Sequence, residues 1–210
     1  MIFRTLVLGP FVNNVYLLGD EKAGEGAIVD ASFGAEKIVE QARKLGLTWK
    51  ALVLTHGHLD HVVGAGKVRE ALGAPILIHE GDRWLYENVE TQAQMFGFGV
   101  SKLPPPDRFL TEGEEVGFGR YTLRVVHTPG HTPGSICLTG EAEGGPAVFT
   151  GDTLFQGSIG RTDLWGGDPD QELASIRIRL LSLPGTTVAL PGHGEATTIE
   201  AEARSNPFLV

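Results

Sequence analysis

Short apolar runs recur along the chain, and most are bounded by glycine, proline or a charged residue. Arg4 to Leu8, Val15 to Gly19 and Ala27 to Asp30 predict short strands. From Gly34 to Leu45 the apolar residues fall at helical spacing, and Gly46 stands just past the last turn, where a left-handed residue ends a helix. Ala51-Leu52-Val53-Leu54-Thr55 has the continuous apolar character of a strand buried on both faces, and it delivers the chain directly into His56. A helix over Gly64 to Leu72 and a strand over Pro75 to His79 follow. Trp84 to Phe98 mixes large aromatic and polar residues without a clean period, so it reads as irregular helix and loop, either a second small core or the wall of a substrate pocket.

The remaining pattern predicts strands over Arg108 to Thr111, Glu115 to Phe118, Tyr121 to Val126, Ser135 to Thr139 and Ala147 to Thr150. Asp170 to Leu181 predicts a helix with Leu173, Ile176, Leu180 and Leu181 on one face, and Thr187 to Leu190 a last strand leading into Pro191-Gly192-His193-Gly194. Two stretches of similar design emerge, with Pro104-Pro105-Pro106 as the expected join, inside one domain spanning residues 1–210. Many strands with few helices predict an α/β fold in which two sheets pack together and helices cover the outside.

Composition narrows the partners. Apolar residues make up 41% and charged residues 20%, ordinary globular usage, and no segment reaches the roughly 18 apolar residues that would read as a membrane span. Met1 to Leu8 lacks the basic start and small-residue cleavage site of a signal peptide, so it reads as a first strand. A formal charge of -9 repels a phosphate backbone, which argues against nucleic acid as a partner. The single cysteine, Cys137, excludes an internal disulfide and makes a cytoplasmic setting the expectation. Its place in an apolar run marks it as a buried strand residue rather than a reactive thiol.

Thr55-His56-Gly57-His58-Leu59-Asp60-His61 places three imidazoles and a carboxylate within six positions at the end of a buried strand. Ordinary core hydrogen bonds cannot satisfy so dense a cluster, whereas imidazole and carboxylate together suit zinc and similar first-row ions. Three other predicted strand ends offer one candidate each beside glycine: His131, Asp152 and His193. Loops at strand ends are where a rigid scaffold projects ligands toward a common point.

These motifs, in order from Asp30 to His193, resemble the metallo-β-lactamase superfamily, and within it the short glyoxalase II-like, hydroxyacylglutathione hydrolase-like branch. The resemblance implies a four-layer αββα sandwich with two divalent metals at one edge, zinc first, with iron or manganese as alternatives. It gives His56, His58 and His131 to one metal, Asp60, His61 and His193 to the other, and Asp152 to both as a bridge. Asp30 matches an acidic position that supports the histidine loop. Asp60 and Asp152 are the implied catalytic carboxylates, with water activated by the two metals as nucleophile and a small-molecule thioester of the S-lactoylglutathione type as substrate. The bridging Asp152 and the imidazole at His58 set the chain apart from true β-lactamases and diiron flavoproteins of the same fold.

Gly160-Arg161-Thr162-Asp163 puts Arg161 at the position that resembles a basic glutathione contact, although Arg161 could equally pair with Asp163 or Asp168. The neighbouring tyrosine of that loop is not matched, and the chain ends at Val210 without the C-terminal helical domain of full-length glyoxalase II. Persulfide dioxygenases share the first histidine motif and the Gly-Arg-Thr-Asp run, and use one iron held by residues matching His56, His131 and Asp152, so a mononuclear iron dioxygenase is the rival expectation. Hydrolysis of another ester or a lactone is a further alternative. His127 lies four residues before His131, but the intervening Thr128-Pro129-Gly130 opposes a helix, and the expectation for His127 is a supporting contact near the ligands. His79 reads as structural.

Overall fold

Alternation along each apolar run decides which layer a side chain joins, because successive strand residues point to opposite faces. The computed structural model describes Met1–Val210. Its first sheet is ordered β1 (Ile2–Leu8), β2 (Asn13–Asp20), β3 (Glu25–Val29), β4 (Thr48–Val53), β5 (Ile76–His79) and β6 (Arg108–Leu110). The first three strands pair antiparallel and the last three add on parallel. The second sheet takes β7 (Glu115–Phe118), β8 (Tyr121–His127), β9 (Ile136–Ala142) and β10 (Gly145–Gly151); the short pair β11 (Leu154–Phe155) and β12 (Ser158–Ile159) stands apart. Beyond β10 the second sheet continues through β13 (Val188–Pro191), parallel to it, to the edge strand β14 (Thr197–Thr198).

Leu18, Val29, Val53 and Leu77 of the first sheet meet Leu123, Val125, Leu138 and Phe149 of the second in one inter-sheet core. Their strand neighbours Leu17, Ile28, Leu52 and Ile76 point the other way, onto Ile38 and Ala42 of α1 (Ala35–Leu45) and Val68 of a later helix, α3 (Ala65–Leu72). The short α2 (Leu59–Val62) lies between these helices in sequence. Both faces of the central strands of the first sheet are therefore buried, which is why those strands read as continuous apolar runs. Each large side chain so buried contributes about 1.5–3 kcal/mol relative to exposure. The outer face of the second sheet is thinner: Cys137, Val148 and Ala189 pack on Ile176, Leu180 and Ile199, a core of 7 buried residues against 22 on the first sheet's outer face. The layers run helix, sheet, sheet, helix.

Several local features depart from the sequence pattern. Arg108 to Leu110, expected with the second half, pairs parallel with β5, and the chain crosses between sheets from Leu110 to Glu115. Trp84 to Phe98 is mostly helical, with α4 (Arg83–Glu87) and α5 (Val89–Met95). Leu85, Tyr86, Val89, Gln92 and Ala93 form its buried face; a glutamine on that face and the exposed Trp84, Met95 and Phe96 are what break the period. The predicted helix over 170–181 is α6 (Pro169–Ser175) followed by a π-helical turn over Ile176–Leu180. Its buried face carries Glu172 and Ser175 beside Ile176 and Leu180, while Leu173 and Leu181 are only partly buried. A last helix, α7 (Ile199–Ser205), is capped by the Thr198 hydroxyl. No helix is long and apolar enough to cross a membrane.

Candidate metal centre

The C-terminal ends of β3, β4, β8, β10 and β13 lie along one edge of the sandwich, and each is followed by one of the loops the sequence marks. Beyond β4, the Thr55 N–H and hydroxyl donate to the two oxygens of Asp30 at 2.7 and 2.9 Å. Asp30 holds φ at 63°, a left-handed conformation that aspartate tolerates better than most residues, and this turns its carboxylate under the histidine loop. Gly57 N donates to Asp82 at 2.6 Å, and a Cβ at Gly57 would come within 2.7 Å of the Leu85 side chain. His58 then opens α2, whose first turn carries Asp60 and His61.

Four imidazoles have an outer nitrogen whose partner fixes its proton. His131 Nδ1 donates to the Arg161 carbonyl at 2.7 Å and His193 Nδ1 to the Phe11 carbonyl at 2.9 Å. His61 Nδ1 donates to Asp30 at 2.8 Å, and His56 Nδ1 to the Thr55 hydroxyl at 3.1 Å, whose own proton is committed to Asp30. A carbonyl or carboxylate can only accept, so for neutral rings the inner Nε2 atoms carry lone pairs. Those lone pairs face one another: His61 and His193 Nε2 are 3.2 Å apart, and His131 and His56 Nε2 3.3 Å. His58 instead turns Nδ1 inward, 2.9 Å from His131 Nε2. Two unprotonated nitrogens repel at such distances unless a proton or a metal ion lies between them, and the Asn13 amide, 3.1 Å from His61 Nε2 and 3.3 Å from His193 Nε2, is the one side-chain amide that meets both rings.

Asp152 supplies a second sign. Its Oδ1 is buried with no hydrogen-bond donor, a costly state for an ionised oxygen. The carboxylate nevertheless spans the cluster, with Oδ1 3.3 Å from His61 and Oδ2 3.4 Å from His193 and 3.8 Å from His131. Ligand atoms gather within 4.8 Å of one another in three groups: His56, His58 and His131; Asp60, His61 and His193; and His56, His61 and Asp152. Nitrogen and carboxylate oxygen in groups of three suit a divalent first-row ion.

Burial drives the His56 pKa well below its ordinary value and that of His58 to about 3. For His61 burial works in the same direction, but the carboxylates of Asp152, Asp60 and Asp30 outweigh it and hold the pKa high. Burial also opposes charge on Asp60, yet the neighbouring His61 and His193 keep its pKa at about 2. The net field of the cluster is one that attracts positive charge.

The supporting residues were not legible as such in the sequence. Asp82, at the end of the 3₁₀ turn over Glu80–Asp82, accepts from Gly57 N, Gly134 N and the Thr132 hydroxyl, tying the His56 loop to the His131 loop. Glu172 accepts from His131 N at 2.7 Å, and burial pushes its carboxyl up to about 8. Gln92 fixes α2 by accepting from Leu59 N and donating to the Gly57 carbonyl. Asn13 donates to Asp60 at 2.7 Å and accepts from Ser32. His127 ends β8; its ring bonds the Pro133 carbonyl of the His131 loop, its backbone N–H bonds Glu112, and it stacks on His79 at 4.1 Å, so it touches that loop through backbone and not through a ligand side chain.

A cavity of about 210 Å³ opens over the cluster, floored by His58, Asp60, His131, Asp152 and His193 and walled by Phe11, Leu59, Phe96, Leu164 and Trp165. Arg161 stands at its rim. The guanidinium forms a two-bond pair with Asp163, at 2.6 and 2.8 Å, while Asp168 caps α6. Of the two ion pairs open in the sequence, Asp163 is the one formed.

A family model described as the metallo-beta-lactamase superfamily matches residues 8–193, nearly the whole chain. The chain belongs to the metallo-beta-lactamase superfamily. Within that superfamily it is a metallohydrolase with His and Asp groups that could bind metal. It is 41% identical to a hydroxyacylglutathione hydrolase, GloC, of Haemophilus influenzae strain Rd over 201 residues, 95% of this chain and 93% of that one. A crystal structure of a protein called BLEG-1 B3 metallo-beta-lactamase matches with a TM-score of 0.91 and 37% identity over all of both chains. A second, TTHA1623 in a di-iron-bound form, matches at 0.86 with 40% identity over 98% of this chain and 100% of that one. The last shows that a relative of this superfamily takes two metals of one kind.

Proposed function

We propose that this metallohydrolase is binuclear and cleaves thioesters, with S-lactoylglutathione-type compounds as its leading substrates, residues 1–210 acting as one domain in the cytoplasm. The observation that carries the reading is Asp152, whose Oδ1 lies 3.3 Å from His61 and whose Oδ2 lies 3.4 Å from His193 and 3.8 Å from His131, so that one carboxylate reaches members of both ligand groups. His56, His58 and His131 would hold one ion and Asp60, His61 and His193 the other, with Asp152 shared. Two divalent ions so held, zinc first and iron or manganese as alternatives, would lower the pKa of water toward neutrality and polarise a carbonyl oxygen.

The chain's own residues do the rest. Asp30, Thr55 and the carbonyls of Arg161 and Phe11 fix the tautomers and orientations of four ligand rings. Asp60 lines the cavity floor beside His193, Asn13 orients it, and its ionised carboxylate would accept a hydrogen bond from water at the centre. Phe11, Phe96 and Trp165 exclude water from the reacting centre and hold the substrate against it.

The test is a panel of substrates with protein purified without added metal. Hydrolysis of S-lactoylglutathione, with no oxygen uptake on glutathione persulfide and slower cleavage of a β-lactam, is the expected result. Persulfide-dependent oxygen uptake without thioesterase activity would replace this reading with the mononuclear iron dioxygenase. Fast β-lactam cleavage alone would replace it with a lactamase.

A further inference from the structure

Arg161 is the only lysine or arginine among the residues that line the cavity. Its guanidinium is not free: Nε and a terminal nitrogen are both engaged by Asp163, two residues along the same loop, and both side chains stand largely exposed at the rim. Asp163 is correspondingly held at a pKa of about 2 by Arg161, so it stays ionised at any working pH. The positive charge that an acidic substrate would meet is cancelled where it stands. A substrate carboxylate can reach only the guanidinium N–H groups that Asp163 leaves free, and it does so beside the Asp163 carboxylate, whose like charge offsets much of the gain.

The rest of the rim points the same way. Phe11 and Phe96 meet edge to face at 5.5 Å on one wall. Trp165, also in the lining, packs edge-on against Trp84 at 6.4 Å, and Trp84 and Phe96 are 56% and 44% exposed, large apolar surfaces left open to solvent. At about 210 Å³ the cavity falls below the roughly 300–1,000 Å³ of pockets that enclose a drug-sized ligand, so it has room for only part of a thioester.

We propose that Asp163 is a specificity-determining residue: by holding the Arg161 guanidinium it offsets the rim's one positive charge and leaves the aromatic walls to bind the thiol half, so that an uncharged, apolar thiol half adds more affinity than that of glutathione, while the cleavage of S-lactoylglutathione-type compounds is decided at the metal centre. This rests on the thioester reading above. Glutathione thioesters remain substrates, bound weakly through their carrier half. Phe96 and Trp165 supply the contact that an apolar thiol half makes and a charged peptide does not.

Two thioethers that cannot be hydrolysed, S-hexylglutathione and S-hexyl-N-acetylcysteamine, separate binding from chemistry. Calorimetric affinities for the protein as purified give a ratio, anionic over neutral, that cancels any general damage to the fold. The wild-type ratio is below one. Asp163→Asn raises it about two- to fivefold, the range set by an exposed ion pair, and adding Arg161→Ala to Asp163→Asn abolishes the rise. A wild type that prefers the glutathione probe, or binds neither, overturns the proposal. So does an Asp163→Asn ratio equal to the wild type's. A rise that survives in the double variant also overturns it, because loss of the Asp163 charge alone would then be the cause. Failure of the thioesterase assay with these binding results intact would count against the reaction and leave the selectivity standing.

Discussion

The backbone carbonyl of Arg161 accepts the Nδ1 proton of His131 at 2.7 Å, so the residue at the substrate rim also sets the orientation of a metal-ligand candidate. The two roles use different atoms. Arg161→Ala keeps the carbonyl and removes the guanidinium, and metal content measured by mass spectrometry is expected to stay at the wild-type level. Because Asp163 already occupies the guanidinium, the loss in affinity for glutathione thioesters should be about 0.2–1 kcal/mol, as for an exposed pair. A stoichiometric loss of metal would show that the side chain itself supports the centre.

Gly192 precedes His193, and a Cβ there would come within 2.6 Å of His61 Cε1 and collide with the Asp152 carboxylate. Gly192→Ala is expected to push Asp152 off its position and to lower metal affinity at least tenfold, in the range of losing a group that orients ligands. Titration with a competing chelator measures it. Unchanged affinity would mean that Asp152 does not need that position.

Asp82 is a buried carboxylate with three donors from two loops, and burial pushes its pKa up despite them. Removing it leaves the Gly57 and Gly134 amides and the Thr132 hydroxyl without their acceptor. Asp82→Ala should cost on the order of 2–4 kcal/mol in urea unfolding, since each stranded buried donor costs about 1–3 kcal/mol and relief of the buried charge offsets part. Asp82→Asn, which keeps an acceptor oxygen, should fall between. A loss below about 1 kcal/mol would remove Asp82 from its role as the tie between halves.

His79 and His127 stack at the edge of the two sheets, and burial together with the facing His127 ring lowers the His79 pKa to about 4. In the unfolded chain histidine takes its proton near pH 6.5. Between those values the unfolded chain binds the additional proton, so this contribution to stability is full above about pH 6.5 and declines as the pH falls toward 4. His79→Asn has no proton to gain. The difference between wild-type and His79→Asn urea midpoints should therefore shrink, in the wild type's disfavour, across that interval, whereas a constant difference would show that the stack does not perturb His79.

Much of the layer order was legible because the inner strands are covered on both faces and leave apolar runs, β7 and the start of β8 alternate buried and exposed residues, and the helix of Ala35–Leu45 carries a clean stripe and a terminal glycine. The candidate ligands were legible because histidine and aspartate crowd together at strand ends, a local signal. Asp82, Glu172, Gln92 and Asn13 were not, since each is a lone polar residue whose partner lies far along the chain, as Glu172 does from His131. Burial, which makes them structural, leaves no trace in the residue type. Cys137 is the opposite case, an isolated residue read correctly from its apolar neighbours: it is fully buried, and burial pushes its thiol up to about 12.

A binuclear centre requires Asp152 to serve two ions at once. Metal content per chain, determined by inductively coupled plasma mass spectrometry on wild type and Asp152→Ala purified without added metal, tests it most directly. About two divalent ions are expected in the wild type, as a two-metal site requires, and loss of both, with thioesterase activity, in the variant. One ion in the wild type, or an Asp152→Ala protein that keeps its full complement, would contradict it.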